Sequence, residues 1–176
     1  MSRIVAIALA AAVASSAAPL EAKSLDGFLK GVEFCQESKG FRGLRKQMNA
    51  LIPISNSPVD RKYEIGPKLM RQMAAAIPAK VTRAEARETD GHMSWVLYLS
   101  DATYAGVPID YVNVWNGNFV DDSYGFAVMF RAPYAQVGPL FEAPVAWANN
   151  NRYRQDPPFT ATLTEGSPGI ICSAWN

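Results

Sequence analysis

The chain has 176 residues, with 17 Lys and Arg against 16 Asp and Glu, a single His and only two Cys. So even a charge balance gives no support to nucleic-acid binding, which shows as a strongly basic face. One histidine and two distant cysteines, with no CxxC or HxxxH spacing, leave a metal centre without its ligand pattern. No cofactor is expected either, since phosphate-loop and dinucleotide fingerprints are absent.

The chain opens MSRIVAIALAAAVASSAAPLEAKS. Arg3 gives a positive start, Ile4 to Val13 an uncharged apolar run, and small residues follow before Pro19. This is the layout of a cleavable secretory signal peptide over residues 1–22, with cleavage after Ala18 or Ala22. The apolar run is about half the roughly twenty residues needed to cross a bilayer, and no later stretch is long and apolar enough, so no membrane span is expected in the mature chain. The remaining 23–176 suits one domain with its own core. The short Ala-rich signal reads as bacterial, which places the product in the periplasm or outside the cell.

Export changes how Cys35 and Cys172 are read. In an oxidising compartment two cysteines most simply form one disulfide. The alternatives are a reactive thiol, which needs a basic partner to form a thiolate, or a metal pair without companions.

Along the mature chain, Ser24 is placed to cap a helix from Leu25. There Leu25, Phe28, Leu29, Val32 and Cys35 share a helical face beside a strip of Gly27, Gly31 and Cys35. A break at Ser38-Lys39-Gly40 precedes a second stripe of Phe41, Leu44, Met48 and Leu51. Lys39, Arg42 and Lys46 lie on another face, read as solvated. Pro53 and Asn56-Ser57-Pro58 mark a loop. Pro67 then opens a helix carrying Leu69, Met70, Met73, Ala76 and Ile77, which Pro78 ends. Its methionines read as core filler.

Asp90-Gly91 is a hairpin signal. Folding about it sets Ala86 opposite Trp95, Ala84 opposite Leu97 and Thr82 opposite Leu99. The other face sets Arg83, Glu85 and Arg87 against Tyr98, Val96 and Ser94. The Ala, Glu and Arg of TRAEARET also suit a helix, but the match of small to large residues across the turn favours strands. A third strand is expected over Val107–Trp115, with Ile109, Tyr111, Asn113 and Trp115 on one side. A turn at Asn116-Gly117 and a fourth strand over Tyr124–Phe130 follow. Pro133–Asn151 reads as irregular, since Pro139 and Pro144 oppose a long helix; a short helix fits only near Val145–Asn150. Strands over Phe159–Glu165, with Thr160, Thr162 and Thr164 outward, and over Ile170–Trp175 close the chain. The expected class is α+β, with N-terminal helices packed on one face of an antiparallel sheet of about five or six strands.

Catalytic signals are thin. Asp90, His92 and Ser94 hold triad residue types, but at a hairpin tip without a pocket. No GxSxG elbow occurs. Asn116, Asn118, Asp121 and Asp122 form an oxygen-rich turn that lacks the calcium-loop spacing. Arg131, Arg152 and Arg154 could recognise an anion, yet their spacing is unspecific. Aromatic residues in or beside loops remain. Tyr111, Trp115, Trp147 and Tyr153, near Asn149-Asn150-Asn151, are the candidate ligand-binding residues, of a kind that suits sugar or peptide recognition; the competing reading of Trp115 and Trp147 is core packing. The expectation is therefore an exported binding or accessory domain, without an evident catalytic site, that recognises a protein or small ligand. The alternative is a cell-envelope hydrolase using Asp and Glu from separated positions.

Overall fold

The computed structural model describes residues 22–52, 60–89, 92–117, 124–155 and 158–174. Residues 1–21 of the predicted signal segment, the 53–59 loop, the Asp90-Gly91 and Asp121-Asp122 turns, and Trp175 lie outside them.

The elements run in the order β1 (Lys23–Ser24), α1 (Lys39–Leu51), β2 (Asp60–Tyr63), α2 (Pro67–Ala75), β3 (Lys80–Thr89), β4 (His92–Ser100), β5 (Ala102–Tyr104), β6 (Val107–Gly117), β7 (Tyr124–Phe130), α3 (Tyr134–Asn150), β8 (Phe159–Thr164) and β9 (Gly169–Ala174). Short 3-10 turns at Val32–Phe34 and Arg152–Arg154 complete the list. The main sheet has the strand order β2-β3-β4-β6-β7-β9-β8, antiparallel at every step. β5 pairs with the start of β6, and β1 adds in parallel to β5. The class is thus α+β around an antiparallel sheet. Among the described residues the sheet has nine strands, not five or six, because β1, β2 and β5 are too short to show a period of two.

All three helices feed one core on one face of the sheet. Phe41, Leu44 and Met48 of α1, Met73 of α2, and Val137, Phe141, Val145 and Ala148 of α3 are buried with Trp95, Leu97, Val112, Val114, Phe126 and Val128 of the strands. On the core side of β3 the small Ala84 and Ala86 stand opposite Leu97 and Trp95 of β4 as expected, and Glu88 on the same side is fully buried, accepting from the Tyr63 hydroxyl at 2.7 Å. A bulge between Val81 and Arg83 puts Val81, not Thr82, opposite Leu99.

Two expectations about helices are corrected. Residues 25–35 do not form a continuous helix. One helical turn, closed by Leu29 N–H to Leu25 C=O at 2.8 Å, ends where Gly31 takes a φ of 92° and Cys35 a φ of 55°. That left-handed region suits glycine, so Gly31 is a chain-reversal residue and not part of a packing strip. Leu25, Leu29 and Val32 are nonetheless buried. Ser38 then caps α1, its Oγ accepting from Phe41 N–H at 3.0 Å and donating to the Phe28 carbonyl.

The second correction is α3, a 17-residue helix across the segment expected to be irregular, so the helices are not all N-terminal. Pro139 and Pro144 each remove a helical hydrogen bond, which costs about 3 kcal/mol in a helix interior. The carbonyls freed are those of Ala135 and Leu140, both at exposed positions where water can satisfy them. Against that stands a buried stripe of Val137, Phe141, Val145 and Ala148. At about 1.5–3 kcal/mol for each large apolar side chain, the stripe offsets a loss of that size.

Cys35 and Cys172 are joined in a disulfide, with Cα atoms 5.5 Å apart and 137 residues between them in sequence. It ties the turn before α1 to β9. Among the described residues no helix is long and apolar enough to cross a membrane.

Candidate functional site

The face of the sheet turned away from the helices carries Arg83, Glu85 and Arg87 of β3, Ser94, Val96 and Tyr98 of β4, and Tyr111, Asn113 and Trp115 of β6. The register sets Arg87 beside Ser94 and Ser94 beside Trp115, then Glu85, Val96 and Asn113, then Arg83, Tyr98 and Tyr111. The rows are linked across strands. Arg83 lies 3.8 Å over the Tyr98 ring, Tyr98 packs on Tyr111 at 5.3 Å, and Ser94 Oγ donates to Asn113 Oδ1 at 2.9 Å. Arg87 forms two hydrogen bonds to Asp60 of β2, at 2.9 and 2.6 Å. This partner holds the Asp60 carboxyl below its ordinary pKa. Burial, then Tyr98 and Asp110, raise the Tyr111 phenol.

A bulge in β6 makes this arrangement. Its pairing with β7 shifts between Ile109 and Tyr111. Ile109 therefore points into the core with Val112 and Val114, while Tyr111, Asn113 and Trp115 turn outward. The expectation that Ile109 shares their side is corrected. The signal was present as the three-residue step from Ile109 to Val112, which no regular strand makes between core positions.

Trp115 is half-buried and lies against β7, where Gly125 leaves room for it. Beside the indole is a hollow of about 300 Å³, lined by Glu85, Arg87, His92, Ser94, Val96 and Trp115. That volume is at the lower end for small-ligand pockets. Its floor is apolar and its rim carries both charges, a hydroxyl and an imidazole. His92 and Ser94 share the hollow, but the Ser94 hydroxyl gives its proton to Asn113. This is not the nucleophile–base contact of a triad; Asp90 lies outside the described residues.

The four sequence-predicted ligand residues do not converge. Trp115 lines the hollow and Tyr111 lies on the same face, two rows away. Trp147 is on α3, 47% exposed, and meets Phe34 edge-on at 5.4 Å. Tyr153, 80% exposed, follows α3 with the Arg152 guanidinium 4.7 Å over its ring. Both belong to the helical layer. Sequence proximity to the asparagine run grouped them with Trp115, and the fold separates them.

A second concavity, on the helical side, was not foreseen. It encloses about 530 Å³ beside the disulfide, between Glu37, Arg42 and Arg45 at the start of α1 and Arg154 beyond α3, with Tyr124 and Phe159 as aromatic wall. Its residues come from four separate segments, so no local spacing could reveal it.

The chain matches no protein family, no curated protein and no solved structure.

Proposed function

We propose that the chain is an exported binding domain of a bacterial cell envelope, periplasmic or extracellular, that takes a small ligand or a segment of a larger one on its outer sheet face at Trp115. The observation that carries this reading is the hollow beside Trp115. An indole with polar groups around it suits the flat face of a sugar ring or a peptide unit, with hydroxyl or amide groups reaching the rim. The Cys35–Cys172 disulfide supports export, since such bonds persist in oxidising compartments, and the signal-like N-terminus agrees with it.

A hydrolase reading needs two carboxylates poised over a cleft. Asp26 and Glu33 share a hollow with Tyr104, but each is engaged. Asp26 accepts from Ala105 N–H at 2.7 Å, and Glu33 accepts from the Tyr104 hydroxyl.

The test is an amide and indole NMR titration with soluble peptidoglycan fragments, which carry both sugar and peptide. Shifts gathered on Thr89, Ser94, Val96 and the Trp115 indole N–H are expected, and Trp115→Ala should abolish them. Cleavage of the fragments, or shifts that ignore Trp115, would overturn the proposal.

A further inference from the structure

We propose that the cleft beside the disulfide is a binding site for a small organic oxyanion carried on a flat apolar body. The charge count comes first. Three guanidiniums, Arg42, Arg45 and Arg154, face this cleft with one carboxylate, Glu37. Glu37 is consumed. Its side chain is only 7% exposed, and its two oxygens accept from Arg45 at 2.7 and 2.8 Å in a fork-to-fork pair. Arg42 is held more loosely: its guanidinium donates to the Glu37 backbone carbonyl at 3.4 Å and lies 3.8 Å from the carboxylate. Among the described residues Arg154 has no ion pair or hydrogen bond from its side chain, and none lining its side of the cleft is a carboxylate. The described lining therefore keeps a surplus of two positive charges, with planar forks that match a carboxylate or phosphate.

The apolar part is specified by the wall. Tyr124 and Phe159 meet edge-on at 5.4 Å, and Arg45, held by Glu37, lies 5.2 Å over the Tyr124 ring. A flat ring fits between such surfaces better than a flexible chain. Gln155 adds a third feature. Its Nε2 donates to the Phe34 carbonyl at 2.9 Å, which leaves Oε1 buried with no donor among the described residues. A hydroxyl or N–H on the ligand body would satisfy it, and a buried acceptor left alone costs stability. A hydroxylated aromatic acid meets all three demands. The volume of about 530 Å³ is ample for one.

The probe is 4-hydroxybenzoate, titrated against the oxidised full-length protein at low ionic strength and followed by NMR shifts of Gln155, Arg154 and Tyr124. Saturable binding is expected. The neutral 4-hydroxybenzamide should bind about tenfold more weakly, and Arg154→Gln should lose a similar factor, as expected for one charge-assisted contact. Arg152→Gln, on a side chain engaged with Tyr153 outside the cleft, should bind as the parent does, and so should Trp115→Ala. Phenyl phosphate in place of the benzoate sorts phosphate from carboxylate preference, and saturable binding of either upholds the site. The proposal is overturned if neither anion saturates, if the amide matches the acid, or if Arg154→Gln leaves affinity unchanged. Because Trp115 is on the other face, failure here leaves the outer-face reading standing, and the reverse holds too.

Discussion

A Cβ at Gly125 would stand 2.2 Å from the Cys172 carbonyl oxygen and 2.3 Å from Cζ2 of Trp115. The β7 backbone and the Trp115 indole can both occupy their places only while that atom is missing. Gly125→Ala should destabilise the protein by about 1–3 kcal/mol, the range for overpacking, and should move the Trp115 indole resonance in the same spectrum. Unchanged stability with an unchanged indole signal would contradict the packing. A second residue-scale effect concerns Tyr104. Burial first, then its hydrogen bond to Glu33, raise its phenol far above the ordinary value near 10. Above pH 10 the unfolded chain releases this proton and the folded chain retains it, so stability present at neutral pH is lost as pH rises. Urea denaturation between pH 9 and 11 should show a steeper loss for the parent than for Tyr104→Phe. Parallel slopes would show that the phenol does not contribute.

Among the elements, β8 is the exposed end of the sheet, and an open edge invites pairing with another chain. Asn149 of α3 closes part of it. Its Nδ2 donates to the Ala161 carbonyl and its Oδ1 accepts from Ala161 N–H, both at 2.8 Å, as a neighbouring strand would. Asn149→Ala should cost about 1–3 kcal/mol and produce concentration-dependent association in sedimentation velocity; a monomer of unaltered stability would refute this role. At the opposite end, β2 reads Asp60-Arg61-Lys62, and charge does the same work. These features also show how far the sequence is legible. The β3–β4 pairing could be read because both strands alternate and their small and large residues match. α3 could not, because two prolines argue locally against a helix that tertiary burial sustains. The side of the sheet that Ile109 takes was turned by a single bulge, and the arginine cleft was hidden by its assembly from distant segments. Short-range patterns predicted what neighbours in sequence decide; of the long-range contacts only the Cys35–Cys172 bond was legible, because a chain read as exported, with two cysteines, leaves one simple pairing.

For the whole molecule, the staple between Cys35 and Cys172 closes a loop of 137 residues. The chain-entropy account gives such a loop at most about 5 kcal/mol, against a total of about 5–15 kcal/mol for an ordinary domain. Reduction should therefore shift the urea midpoint sharply downward, and thiol labelling of the natively purified protein should find two thiols only after reductant. Two freely labelled thiols in the unreduced protein would remove the staple from the account.

The strand order carries one more consequence. β9 follows β8 in the chain but lies between β7 and β8 in the sheet. The β8–β9 hairpin therefore meets the rest of the sheet only through the β7–β9 pairing, and in an exchange between two molecules it would dock onto β7 of the other copy. Such an exchange would leave every strand pairing intact, so spectroscopy of the fold would not reveal it. The cysteines would: Cys35 of one copy would then bond Cys172 of the other, and each exchange would be written covalently as a dimer band on a non-reducing gel. Oxidation before encounter would fix the hairpin at home, so the order of the two events would decide between a monomer and a linked pair.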